Sequence, residues 1–434
     1  MNDFEFCEGV LHCEGVPLPL IAREVGTPVY VYSTAAMQRH ARGFKDALAA
    51  LGEPLVAFAV KANPNVAVLA TLAAEGLGAD VVSGGEYCRA RAAGIPADQI
   101  VFSGVGKTAQ EMALALEGGL LQFNVESLAE AEMLSNVAVS TGRVAPLCFR
   151  INPDVAAGSH AKISTGGAQD KFGINATDLM RAFKMARELP GLQAKGVAVH
   201  IGSQLTSLPP LKAAFTRVGE LIAELRSAGH LITVADLGGG LGVPYDKAAP
   251  LPPSPADYAA LVGRITAGWG VKLIFEPGRL IVGNAGVLLT RVIRSKEGHT
   301  RPFVIIDAGM NDLMRPSLYD AWHEIGAVEP RGGTIVADIV GPVCETGDTF
   351  ARARAISHVE PGDLMVIRTA GAYAATMGST YNSRPLAAEV LVSGTEWAVV
   401  RERQDVKALI DGDIVPPWLR PGGGACGTSG RGAR

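Results

Sequence analysis

The sequence predicts an α/β protein built from a (β/α)8, or TIM, barrel and a second, β-rich domain. Three observations carry that prediction. Between about 54 and 276, eight short apolar runs alternate with Ala/Leu-rich stretches of helical period. That is the pattern of parallel strands joined by crossover helices. After about 285, strand-like runs follow one another without long helices between them. Polar residues recur at the ends of the first eight runs, the positions where barrel enzymes place their chemistry.

Taken in order, the opening segment 4–11 alternates and is expected to join the β-rich part. A helix is expected over 33–51. The eight barrel strands are expected at 54–61, 79–82, 99–103, 121–125, 146–151, 194–201, 232–238 and 271–276. Helices are expected at 65–75, 84–93, 108–118, 127–141, 176–188, 210–228 and 255–268. Only seven helices follow a strand, so the helix at 33–51 is the candidate for the eighth slot. Later strands are expected at 286–294, 303–308, 334–340, 364–368 and 386–400, with Pro361-Gly362-Asp363 as a turn. The resulting division is 30–285 for the barrel, and 1–29 with 286–418 for the β-rich domain. The Gly-rich tail, 419–434, is expected to be disordered.

Composition narrows the function. The chain has 434 residues, 48% of them hydrophobic, enough for a large core. A formal net charge of -4 without a basic block argues against nucleic acid or anionic membrane as partners. Six cysteines (Cys7, Cys13, Cys88, Cys148, Cys344, Cys426) are scattered without a CxxC pair, which fits free thiols in a reducing compartment. No metal site is expected. The first residues lack a basic segment followed by an apolar stretch, and no apolar run reaches about 18 residues. A cytoplasmic protein is expected.

Lys61 is the most informative residue. It closes the run Leu55-Val56-Ala57-Phe58-Ala59-Val60 and precedes Ala62-Asn63-Pro64, where a strand cannot simply continue. Partial burial there is expected to lower the amine's pKa and free its lone pair for Schiff-base chemistry. The alternative is a lysine snorkelling out of a strand end. Asp80 and Ser83 flank the second strand, Asn124 and Glu126 end the fourth, and Arg150 and Asn152 the fifth. His200 and Ser203 follow the sixth. Gly238-Gly239-Gly240 after the seventh suits close approach of backbone N–H groups to an anion, or else a plain flexible turn. Glu276-Pro277-Gly278-Arg279 ends the eighth. The carboxylate of Glu276 either pairs internally with Arg279 or faces a protonated heteroaromatic nitrogen. In the β-rich part, Cys344 beside Glu345 is either an accessible proton donor or a small buried residue. Arg315 can fork onto a carboxylate. Tyr319, Tyr373 and Tyr381 lie in nearby polar segments.

Together these segments resemble the alanine-racemase-like, fold-type III pyridoxal-phosphate enzymes, and among them the diaminopimelate decarboxylases. The matching motifs are Phe58-Ala59-Val60-Lys61-Ala62-Asn63, His200-Ile201-Gly202-Ser203-Gln204, Gly238-Gly239-Gly240, Glu276-Pro277-Gly278-Arg279, Arg315-Pro316-Ser317-Leu318-Tyr319, Gly341-Pro342-Val343-Cys344-Glu345, and Tyr373 with Tyr381-Asn382. They run in family order and cover nearly the whole chain except the tail.

The resemblance implies pyridoxal 5'-phosphate as cofactor, held by Lys61 as a Schiff base. It places His200 against the cofactor ring and Glu276 at the pyridine nitrogen. Ser203, Gly239, Gly240, Pro277, Gly278, Arg279 and Tyr373 would line the cofactor's remaining contacts. Arg279, Arg315, Tyr319 and Tyr373 would meet the substrate, with Glu345 on its distal ammonium and Cys344 as proton donor. It further implies a homodimer with shared sites and conversion of meso-2,6-diaminopimelate to L-lysine and carbon dioxide. One departure is visible. Relatives often carry a second histidine two positions before the stacking one, where this chain has Ala198. Glu276 argues against the racemase branch. The rival activities are decarboxylation of ornithine, arginine or a carrier-bound amino acid, and non-catalytic cofactor carriage.

Overall fold

The computed structural model describes residues 4–155, 170–246 and 248–419. The chain opens with β1 (Phe4–Cys7), β2 (Val10–Cys13) and β3 (Val16–Pro17), a small antiparallel sheet, and then α1 (Leu18–Val25). Next come β4 (Val29–Ser33), buried throughout, and α2 (Thr34–Leu48).

The barrel follows as β5 (Leu55–Ala59), α3 (Val66–Ala74), β6 (Gly78–Val81), α4 (Gly84–Ala92), β7 (Ile100–Phe102), α5 (Ala109–Glu117), β8 (Gln122–Val125) and α6 (Leu128–Thr141). It continues with β9 (Ala145–Asn152), a short β10 (Ile174–Asn175), α7 (Leu179–Glu188), β11 (Leu192–Val199), α8 (Pro209–Ser227), β12 (Val234–Asp236), α9 (Pro255–Thr266) and β13 (Lys272–Phe275). Eight strands pair in parallel in chain order, and Ile274↔Leu55 with Phe275↔Val56 closes the ring. β10 pairs alongside β9, with Ile174 opposite Ile151.

Local chemistry explains where several helices start. The hydroxyls of Ser83, Thr108, Ser127 and Ser254 accept backbone N–H groups at the starts of α4, α5, α6 and α9. The eighth helical position is filled by α2, as expected. Its Phe44 stacks on Tyr258 of α9 and meets Phe275 of β13 edge-on, each at 6.1 Å between ring centres.

After α10 (Arg279–Val282) the chain builds a second sheet. Its elements are β14 (Gly286–Lys296), β15 (Phe303–Ile306), α11 (Arg315–Tyr319), β16 (Ile325–Ala327), β17 (Thr334–Val340), β18 (Thr349–Ser357), β19 (Leu364–Ile367), β20 (Ala388–Ser393) and β21 (Glu396–Arg401). The order is β18-β17-β15-β14-β4-β20-β21, with β19 and β16 branching from β14. The N-terminal strand inside this sheet is therefore β4, and Gly286 lies opposite Tyr32. The segment 4–11 does not enter it but forms part of its own small sheet. That sheet packs Phe4, Leu11 and Cys13 against Val287, Leu289 and Val390. Three strands of this sheet, β4, β16 and β18, lie outside the expected strands, and 386–400 divides into β20 and β21. The chain leaves the second sheet after Ser33 and returns to it at Gly286. The tail expected over 419–434 lies, apart from Leu419, outside the described residues.

Candidate active site

The first barrel strand stops at Ala59, two residues short of the expected end, and Val60–Ala62 forms a short 3-10 turn. That turn lifts Lys61 off the strand and over the barrel mouth. Its side chain is half-buried, and Nζ donates to Asp80 Oδ2 at 2.6 Å. Burial lowers the Lys61 pKa, but Asp80, Glu276 and Tyr373 outweigh it and raise the amine above the ordinary lysine range. The expected lowering is therefore reversed, because an acid on the next strand sits within contact distance.

Lys61 opens onto a cavity of about 380 Å³ whose wall includes Ser103, Asn124, Arg150, His200, Asp236 and Glu276. Asn124 Nδ2 donates to Asp236 Oδ2 at 2.9 Å and to Glu276 Oε1 at 3.2 Å. Ser103 Oγ adds a 3.3 Å bond to the same Glu276 oxygen. Burial pushes the Glu276 carboxyl well above its usual range; Asp236 and Asp80 add to this, and Lys61 offsets part of it. Burial likewise pushes Asp236 up to about 6, against hydrogen bonds from Asn124 and the Gly238 N–H. Of the two readings of Glu276, the ion pair with Arg279 does not form. Arg279 points instead to Ser203 Oγ, at 3.2 Å, and to the Tyr245 hydroxyl.

His200 stands on the cavity wall with a defined tautomer. The Gly239 N–H donates to its Nδ1 at 3.1 Å, so the neutral ring carries its proton on Nε2. Burial, with Arg150 and Lys61 nearby, holds its pKa well below the usual histidine value. Arg150 pairs with Glu126 at 3.0 Å and lies over the Phe172 ring.

The glycine turn is packed backbone to backbone. A Cβ on Gly239 would lie 2.0 Å from the Glu276 carbonyl oxygen. One on Gly240, whose φ is +109°, would lie 2.3 Å from that of Gly202. This brings the His200–Gln204 loop, the glycine turn and Glu276–Gly278 together at one rim. Tyr373 reaches the same rim from the second sheet's side. Its N–H donates to Ala62 O at 2.8 Å, and its hydroxyl lies beside Gly278. A lysine amine, buried acids and a glycine turn with no side chains to block close approach fit an aldehyde-bearing, basic-ring phosphate group.

A cationic patch adjoins it. Arg279 lies over the Tyr373 ring at 4.7 Å, and Arg315 over the rings of Tyr245 at 4.9 Å and Tyr319 at 5.9 Å. Arg315 Nε donates to His323 Nε2 at 3.4 Å. His323 is buried, and chiefly for that reason its pKa falls to about 3. Cys344 and Glu345 are not brought to this cavity. They sit on an exposed loop, where the Cys344 N–H donates to Asn382 Oδ1 at 2.9 Å and Tyr381 hydrogen-bonds Glu345.

Sequence reasoning gave no role to Tyr245 or His323 and treated Asp80 only as one strand-end group. Asp236 carried a usable signal, an acid inside the apolar run Val234-Ala235-Asp236-Leu237, which is costly unless used. His323 carried none.

Residues 34–283 match the family model described as pyridoxal-dependent decarboxylase, pyridoxal binding domain. A diaminopimelate decarboxylase from Zymomonas mobilis is 56% identical over 421 residues, covering 96% of this chain and 100% of the relative. One from Neisseria meningitidis serogroup B is 47% identical, covering 93% and 97%. Among solved structures, diaminopimelate decarboxylase of M. jannaschii in co-complex with L-lysine superposes with a TM-score of 0.93 at 38% identity, covering 96% of this chain and 99% of that one. With this extent of likeness, and with Lys61, the glycine turn and Glu276 gathered at one barrel rim, the chain belongs to the diaminopimelate decarboxylase family of pyridoxal-dependent decarboxylases.

Proposed function

We infer that this protein removes the carboxylate at the D-centre of meso-2,6-diaminopimelate as carbon dioxide and releases L-lysine, the final step of lysine formation. The observation that carries this reading is the pairing of two unlike sites at one rim. A lysine–acid cavity lies beside a patch of two arginines, Arg279 and Arg315. The first suits decarboxylation, and the second suits a substrate that keeps another carboxylate.

Pyridoxal phosphate, held through Lys61, supplies the sink for the electron pair left when the carboxylate departs. The chain's residues then have separable tasks. Asp80 keeps the Lys61 ammonium in place and takes up its proton when the amine acts as a nucleophile. Glu276, made proton-rich by burial and by Asp236, would supply a proton to the cofactor's basic ring nitrogen and serve as its counter-ion. Neutral His200 offers a flat face to that ring. The Gly238 and Gly239 N–H groups serve Asp236 and His200. The glycine turn, through Gly240 and its lack of side chains, with Ser203, Pro277, Gly278 and Tyr373, would therefore hold the phosphate side. Arg279, Arg315 and Tyr319 grip the distal carboxylate. Cys344 returns a proton to the substrate carbon and Glu345 holds the distal ammonium, both reaching the site from the partner in a homodimer.

Among the described residues no helix is long and apolar enough to cross a membrane.

Purified holoenzyme given meso-diaminopimelate should produce equimolar L-lysine and carbon dioxide, followed by mass spectrometry. D-lysine and ornithine lack the distal carboxylate and leave buried donors unpaired. They should react about 10⁴-fold more slowly. Equal rates on ornithine or D-lysine would overturn the substrate assignment.

A further inference from the structure

The glycine turn after β12 continues through Leu241–Pro244 to Tyr245, which stands between the two arginines. Arg279 donates to its hydroxyl, and Arg315 lies over its ring at 4.9 Å. Arg279 also lies over the ring, at 5.7 Å. Tyr245 is half-buried, and its position is set by its neighbours. The Gln204 side chain clamps the Val243 backbone in both directions, Nε2 to O at 2.6 Å and Oε1 from N at 3.2 Å. Asn284 Nδ2 donates to Pro244 O at 3.1 Å. The His323 ring meets the Tyr245 ring edge-on at 5.2 Å.

Both guanidiniums are buried, and among the described residues neither has a carboxylate within ion-pair distance. The Arg279 Nε–H is also buried without a hydrogen-bond acceptor. Two desolvated like charges are costly. What offsets them here is electron-rich but uncharged: Tyr245, which alone meets both arginines, the Tyr373 ring and Ser203 oxygen at Arg279, and the Tyr319 ring and His323 nitrogen at Arg315. An acid in either place would pair with the arginines and compete with a ligand.

We propose that Tyr245 is a specificity-determining residue, which holds Arg279 and Arg315 as an uncommitted dicationic slot for the substrate's distal carboxylate. The proposal rests on the function inferred above. It extends that reading to a residue carried by the loop that also forms the phosphate turn.

L-lysine carries the distal carboxylate and ammonium, and cadaverine is the same chain without the carboxylate. The test is equilibrium binding of both by holoenzyme, in wild type, Tyr245→Phe and Tyr245→Leu, with cofactor content measured in each. Tyr245→Phe removes the acceptor and keeps the ring, and should weaken L-lysine ~3–10-fold. Tyr245→Leu removes both and should weaken it ~10–100-fold. Cadaverine affinity should stay within about twofold in both. In turnover, KM for diaminopimelate should rise more than kcat falls. L-lysine affinity unchanged in both variants, or equal weakening for both ligands, overturns the role of Tyr245. A wild-type enzyme that does not prefer L-lysine to cadaverine overturns the substrate reading and this inference with it. If Tyr245→Leu fails to fold, Tyr245→Phe alone decides.

Discussion

At Lys61 opposing effects meet. Burial, the largest single effect, favours the neutral amine; Asp80 at 2.6 Å, Glu276 and Tyr373 together favour the ammonium more strongly. Replacing Asp80 by Asn leaves burial and removes the larger opposing charge, so the amine should titrate at lower pH. In cofactor-free protein, the pH profile of reductive labelling at Lys61 should shift toward acid. An unmoved profile would mean that Glu276 and Tyr373 suffice to hold the proton. The sequence placed Lys61 and His200 at strand ends correctly, because a strand end is a local property. It could not order the charges. The Asp80–Lys61 contact joins adjacent strands, and Asp236 reaches Glu276 through Asn124 from three different strands. Only closure of the barrel sets those distances. Tyr245 was hidden for a similar reason: its neighbours come from α10, from α11 and from the segment after α11.

Between β12 and α9 the Gly238–Gly240 turn does two jobs, and both depend on missing side chains. Gly239 donates to His200 and lies against the Glu276 carbonyl. Gly239→Ala must push that strand end away, an overpacking cost of ~1–3 kcal/mol. It should weaken cofactor binding at least ~10-fold and lower the Tm, read by cofactor titration and thermal melting. Cofactor affinity equal to wild type would show that the rim yields without consequence. Elements with strong local signals were legible. Seven crossover helices and α2 in the eighth slot follow from apolar period and capping hydroxyls. The second sheet was less so. β18, whose middle from Arg352 to Ala355 is exposed or half-buried, and the three-residue β16 present little apolar run of their own and are strands because neighbours pair with them. The opening segment joins the β-rich part by packing rather than by pairing. Alternation marks a strand but does not say which sheet receives it.

For the whole molecule, the exposure of Cys344 and Glu345 and their absence from the Lys61 cavity suit a site completed across a dimer. Inactive Lys61→Ala and Cys344→Ala chains should then rescue one another. With free subunit exchange, half the dimers are mixed, each with one intact site, so activity should return to about a quarter of wild type. No rescue, with exchange shown by mass, would put both residues in one chain's site. The path of the chain between its two sheets has a further consequence. β4 pairs with β14 and β20, yet the whole barrel separates it from both. At ribosomal rates of ~5–20 residues per second, β14 follows β4 by ~10–50 s. During that interval the strand Val29-Tyr30-Val31-Tyr32-Ser33, buried at every position in the finished protein, has left the ribosome without its partners. Elongation speed and chaperone supply, rather than final stability, should therefore govern how much of this enzyme reaches the native state when it is overproduced.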